Sequence, residues 1–384
     1  MRRLLLNKLS FLFILIPSLL WVSDLSAKES YKKNLIIGVI GPMTGEGAEY
    51  GKPMLEGIQL AAKEFNKAGG INGEKIKLLA RDNGAEQGAT TRILNEFLAE
   101  KVTAIIASPG GWSTFGPVAT ANRSWTILMS VGSQRHIGKS GNFIFRNSLP
   151  DEIATEQSIK YCSEKLGYKR YAIVTSMVDD EASLSAAGFY RRALQKYGGK
   201  VVAEAFTGFD MGLKESVAAL KQDAKGPIDA VIFAGKAKAG AEILKELRRN
   251  GIKAPLIGGE GLKNRKFLKL AGKATVGTIL YTSFTSLSKD QTTRRFVKSF
   301  RKETAHYPSP LSALGYDSFM LIAEAIKKSG TTEPKQVAND LWDTKDYQGV
   351  SGPISMDDSG ETIKSAYLLK VVQGKKRPFF TLVK

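Results

Sequence analysis

From Leu35 to Ile40 the chain carries a short apolar run of the kind a buried parallel strand needs, and Gly41 to Gly51 is too rich in Gly and Pro to continue it. Leu55, Ile58, Ala62 and Phe65 then recur at helical spacing, which predicts a helix beginning near Pro53, where a missing N–H costs nothing in a first turn. Gly69 and Gly70 stop it, and Ile76 to Ala80 reads as the next strand. The result is a βαβ unit. Ligands of open α/β sheets bind at the carboxyl ends of such strands, so Met43 to Tyr50 falls beside a prospective site.

The alternation goes on: helix 87–100, strand 102–107, helix 113–122, strand 125–129. After a polar, proline-containing stretch at Asn147 to Asp151 it restarts with helix 153–166, strand 171–174, helix 183–197 and strand 200–206. Helix 215–223, strand 230–233, helix 239–250 and strand 255–258 follow, so two similar doubly wound α/β halves with mostly parallel sheets are implied. Strand 277–282 precedes three helical stretches, 292–304, 312–329 and 334–343. The chain ends in strands joined by polar turns at Asp357 to Gly360 and at Gly374 to Lys375.

Residues 1–27 stand apart from this pattern. Arg2, Arg3 and Lys8 precede an apolar stretch from Leu9 to Leu20, and Ser26 and Ala27 offer a small-residue cleavage site, so the segment reads as a secretory signal peptide. Its apolar part is too short to favour a spanning helix, and no later segment has the length for one, so no stable membrane insertion is expected. No cysteine lies near the cleavage site, which disfavours a lipid anchor and makes a periplasm the natural compartment. The lone cysteine, Cys162, cannot form an intramolecular disulfide and reads as a buried thiol.

Of the 384 residues, 28–384 carry 53 of the 56 basic and 36 of the 37 acidic side chains, a net charge of about +17. Such a charge raises nucleic acid as a partner, but the basic residues are spread along the chain, without an arginine-rich tract or a basic stripe interleaved with aromatics. Solubility, or mild steering of anionic ligands, is the better account. The length suffices for two domains.

Catalytic chemistry is poorly supplied. Only His136 and His306 occur, neither in a metal-ligand spacing. GWSTFG at 111–116 misses the nucleophile-elbow spacing by one residue. GSQRHIGKS at 132–140 misses the phosphate-loop spacing, with five residues between Gly132 and Gly138 where four are required. Gly45, Gly47 and Gly51 follow the first strand as GxGxxxG, a weak nucleotide-binding signal. No cofactor or metal is expected, and a secreted α/β enzyme is kept only as an alternative.

Four motifs in order carry a resemblance that covers nearly the whole of residues 28–384: GPMTGEGAEYG at 41–51, NKAGGINGEKIKLLARDN at 66–83, LIGGEGLKN at 256–264 and ALGYDSFMLIAEAI at 313–326. The chain resembles the extracytoplasmic solute-binding proteins of ABC importers of the branched-chain amino acid class. The resemblance implies a type I periplasmic binding protein fold, with two doubly wound lobes joined by a three-segment hinge. Crossings near Asn147, Thr282 and residue 355 would divide it into 28–147 plus 282–355 and 148–281 plus 356–384. It also implies a monomeric receptor that closes on an amino acid or related small carboxylate and docks on an ABC permease; a sensor for a membrane signalling receptor is the alternative.

Site residues follow from the same resemblance. The family holds the ligand carboxylate in the loop matched by SPGGWSTFGP at 108–117, by a hydroxyl and backbone N–H groups, which points to Gly111, Trp112 and Ser113; Trp112 stands where the family's serine would. SVGSQR at 130–135 offers Ser133 and Gln134 as polar contacts. Tyr50 would form a wall. Glu260 matches the acid that neutralises a ligand ammonium. The tyrosine of the family's DDxYG is Ala182 here, and Lys236 replaces a commonly aromatic residue, which favours a second carboxylate or an acid without an amino group.

Overall fold

The first apolar run forms β1 (Ile36–Gly41), and its last five residues are buried. The protein is seen here in a computed structural model that describes residues 35–383 except 46, 87, 109–114, 133–136, 178–180 and 209–211. β1 pairs in parallel with β2 (Lys77–Asp82) and β3 (Ala104–Ala107), and β4 (Ile127–Val131) and β5 (Ile144–Asn147) complete a sheet of order β2-β1-β3-β4-β5. β1, β3, β4 and β5 are buried without alternation because helices cover both faces of a parallel sheet.

Three helices link these strands: α1 (Ala48–Lys67), α2 (Ala89–Ala99) and α3 (Phe115–Arg123). α1 starts five residues before the expected Pro53, which lies inside the helix. The glycine loop does not merely precede the helix; its end is wound into it. Gly51 permits this, since a Cβ there would lie 2.2 Å from the Pro42 carbonyl oxygen. β5 was not expected: it is short, and its buried Arg146 disguises it as polar.

The second half contains α4 (Asp151–Leu166), β6 (Arg170–Ser176), α5 (Glu181–Lys196), β7 (Lys200–Thr207), α6 (Leu213–Asp223), β8 (Ala230–Ala234), α7 (Ala237–Arg249), β9 (Leu256–Gly258), α8 (Arg265–Ala271) and β10 (Ile279–Thr282). The chain then returns to the first half through α9 (Gln291–Thr304), α10 (Pro310–Ser329), α11 (Pro334–Trp342) and a small antiparallel sheet of β11 (Tyr347–Gly349), β12 (Gly352–Met356) and β13 (Thr362–Ile363). β14 (Tyr367–Gln373) and β15 (Pro378–Leu382) rejoin the second sheet, whose order is β15-β14-β10-β9-β8-β6-β7; β14 runs antiparallel to β10.

Each sheet is sandwiched. On one face of the first, Met54, Ile58 and Phe65 of α1 pack with Phe319, Ile322 and Ile326 of α10; on the other, Ile93, Leu94 and Phe97 of α2 pack with Val118 of α3. The second sheet is covered by α6, α7 and α8 on one face and by α4 and α5, including buried Cys162, on the other. Among the described residues no helix is long and apolar enough to cross a membrane.

Three segments pass between the sheets. The first joins β5 to α4, and the second leaves β10 and reaches Phe284, which packs with Leu60, Phe296 and Phe300 of the first half. The third lies between β13 and β14 rather than near residue 355, because Ser355 is inside β12 and pairs with Ile363. After it, β14 pairs with β10, more than 80 positions earlier, and a pairing that distant leaves no local signal of where the chain crosses.

Candidate functional site

The carboxyl ends of β1, β3 and β4 form one wall. Asp82, at the end of β2, accepts hydrogen bonds from Met43 N (2.7 Å), Thr44 Oγ1 (2.6 Å) and Gly84 N (2.8 Å), pinning the loop that leads into α1. Burial raises the Asp82 carboxyl, but the Thr44 hydroxyl and the Gly84 and Met43 N–H groups outweigh it and hold the pKa below the usual range. Tyr50 follows in the first turn of α1, 38% exposed. At the end of the next candidate segment, Ile137 N donates to Glu361 Oε1 (2.9 Å), and Glu361 is also ion-paired with buried Arg146. Gly111, Trp112, Ser113, Ser133 and Gln134 lie outside the described residues.

The facing wall is made by the ends of β6, β8 and β9. Ser183 Oγ, in the first turn of α5, donates to the Ala234 carbonyl (2.6 Å) and ties that helix to the end of β8. Lys236 is the exposed residue that precedes α7. It neighbours Glu260, because a Cβ on Gly261 would lie 2.8 Å from the Gly235 carbonyl oxygen and 3.6 Å from the Lys236 Cα. Two of the expected residues, Lys236 and Glu260, are thereby brought together on adjacent strand ends.

Glu260 opens a short 3₁₀ turn, Glu260–Leu262, and its side chain reaches the second inter-sheet passage. Its Oε2 accepts from Thr282 Oγ1 (2.6 Å), Ser283 N (2.7 Å) and Ser283 Oγ (2.9 Å). Lys263, at the end of that turn, sends Nζ to Thr282 Oγ1 (3.3 Å) and to the Phe284 carbonyl. Burial pushes the Lys263 ammonium down to about 8, against the pull of Glu260.

A second arrangement of the same kind sits at the other passages. Asp317 of α10 accepts from Val350 N (2.7 Å), Ser351 N (2.9 Å) and the Ser351 hydroxyl, while Lys364, between β13 and β14, donates to Ser351 Oγ (2.5 Å) and Asn147 Oδ1 (3.4 Å). Burial raises the Asp317 carboxyl despite Lys364 and the Ser351 donors, and pushes Lys364 down to about 8 despite Asp317 and Glu260. Polar groups from all three passages thus meet where the two walls join.

Two parallel-sheet bodies, strand ends facing a common junction and three passages between them are the architecture that the motifs led one to expect, and a model of periplasmic binding proteins matches residues 35–376. The chain belongs to the periplasmic binding protein family. The Leu/Ile/Val-binding protein homolog 1 of Brucella abortus (strain 2308) is 23% identical over 359 residues, which cover 88% of this chain and 90% of the relative. The leucine-, isoleucine-, valine-, threonine-, and alanine-binding protein of Pseudomonas aeruginosa is 24% identical over 329 residues, covering 85% and 86%. The crystal structure of LivJ from Streptococcus pneumoniae in complex with isoleucine is similar, with a TM-score of 0.73 and 27% identity, over 91% of this chain and 99% of that one. The fold is the type I periplasmic binding fold.

Lys263, Thr282, Ser283 and Lys364 were not among the residues expected at the site. Lys263 stood within the quoted motif, three residues after Glu260, which is one helical turn; that spacing was the available signal. Lys364 and Asp317 come together across 47 positions and had none.

Proposed function

We propose that the chain is a periplasmic, monomeric receptor that closes its two lobes over an amino acid or related small carboxylate and presents it to an ABC permease. The reading is supported most by Glu260, whose carboxylate projects from the strand ends of one lobe and is held by the passage that leads to the other. A ligand that touches Glu260 and the first wall bridges both lobes. Such a ligand favours the closed state by its differential affinity for it, and closure about inter-lobe segments is a hinge motion. The similarity to relatives named for leucine, isoleucine and valine supports an amino acid-sized ligand. No catalytic role is proposed, since the family consists of binding proteins.

The test is a thermal-shift screen of residues 28–384 against branched-chain amino acids, their 2-oxo analogues, aromatic acids and dicarboxylates. A ligand at a hundred times its dissociation constant adds about 2.7 kcal/mol of stability. We expect a saturable rise in Tm with at least one small carboxylate; stabilisation by nucleotides alone, or turnover of any of these compounds, defeats the proposal.

A further inference from the structure

Glu260 matches an acid whose part in the resembling proteins is to neutralise an ammonium, on the argument that a buried carboxylate needs such a partner. In this chain the partner is already present. The Glu260 Oε2 is saturated by three donors, and the Thr282 hydroxyl that gives one of them receives the Lys263 ammonium on its other side. The cation is also held by the Phe284 carbonyl and lies 5.6 Å from the centroid of the Phe284 ring, so it is fixed rather than free to swing away. Among the described residues Glu260 Oε1 has no hydrogen-bond partner, which leaves one acceptor for a ligand.

Glu260 is therefore already countered by a fixed cation before any ligand arrives. An ammonium brought to Oε1 is attracted by Glu260 and repelled by Lys263, whose Nζ reaches the other oxygen of the same carboxylate through a single bridging hydroxyl. At the effective dielectric of such sites, about 20, neither term is negligible. A hydroxyl, an oxo group or a hydrogen in the same place meets no such conflict. We propose that Lys263 is a specificity-determining residue that opens this subsite to carboxylates lacking an α-amino group, acting on the ligand through its pairing with Glu260 and Thr282. The proposal rests on the reading of Glu260 as ligand-facing.

The experiment uses isothermal titration calorimetry of the full mature chain at pH 7 with two probes of one skeleton, L-leucine and 4-methyl-2-oxopentanoate. The quantity read is the ratio of their dissociation constants. In the wild type the oxo acid should bind within about tenfold of leucine, or more tightly. Lys263→Met should move the ratio at least tenfold towards leucine, and Lys263→Arg, which keeps the charge, should leave it near the wild-type value. Lys263→Gln, which retains a donor for Thr282 and Phe284, is the second neutral variant should the Met substitution not fold, and should shift the ratio in the same direction. If both probes bind and neither neutral variant moves the ratio by more than twofold, the role of Lys263 is overturned while the receptor reading stands. If neither probe binds any variant, the ligand-facing role of Glu260 falls and the inference falls with it.

Discussion

At the scale of single residues, the site is held by groups that are themselves buried and fully engaged. Arg146 and Glu361 are 1% and 5% exposed, and the same Glu361 carboxylate accepts from Ile137 N immediately after a candidate ligand segment. Removing one partner of a buried ion pair leaves the other charge poorly solvated, at a cost of about 3–5 kcal/mol. Glu361→Ala should therefore lower the unfolding free energy by about that amount in urea titrations. A loss below about 1 kcal/mol, the worth of an exposed pair, would show that Arg146 is stabilised by other groups. Such residues are where sequence reading is weakest. Glu260 was legible because an acid after a Gly-Gly pair belonged to a motif, whereas nothing local shows the partners of Arg146, Lys263 and Lys364, which lie 215, 19 and 47 positions away in Glu361, Thr282 and Asp317.

At the scale of elements, what binds the first lobe together is the contact of α1 with α10. Gly57 faces α10 so closely that a Cβ would lie 1.9 Å from the Ser312 carbonyl oxygen, and a Cβ on Gly315 would lie 2.6 Å from the Met54 carbonyl oxygen. In an isolated helix Gly→Ala is favourable by about 1 kcal/mol. Here the two effects have opposite signs, and overpacking costs about 1–3 kcal/mol and sometimes more. Gly57→Ala should accordingly lower Tm rather than raise it, and an increase in a calorimetric scan would refute the close approach. The helices themselves were readable, since 292–304, 312–329 and 334–343 fall within two residues of α9, α10 and α11. Their stripes are long and repeat at a helical period. β5 and β11 were not readable, because IFRN and YQG lack the continuous apolar run that marks the equally short β3, β9 and β10. The start of α1 was misplaced for a different reason: Gly47 and Gly51 look like loop, yet the close approach of Pro42 requires a glycine inside the helix.

For the whole molecule, the junction of the two lobes is polar and contains two lysines that burial has displaced to about 8, Lys263 and Lys364, each linked to a carboxylate through a hydroxyl. This predicts how stability varies with pH. Lys364 has an ordinary pKa of 10.5, so between about 8 and 10.5 the unfolded chain binds a proton that the folded chain does not. Stability contributed by this group must rise with pH across that window; below about 8 both states are protonated and the full cost of burying the charge is felt. Cys162, raised to about 12, and buried Tyr281 act in the opposite sense as pH rises through their ordinary values, since the folded chain then holds the extra proton. Both effects are present in wild type and in Lys364→Met alike and cancel in the difference between them. Urea titrations at pH 7, 8 and 9 should then show the wild type gaining on Lys364→Met as pH rises, with most of the gain above pH 8. The same titrations on Asp317→Asn/Lys364→Met should find the double variant less impaired than the sum of the single ones, because a neutral pair leaves no unmatched charge at the junction. A pH-independent difference together with additive losses would mean that the two groups are solvated separately, and that the three passages are not tied into one junction by these charges.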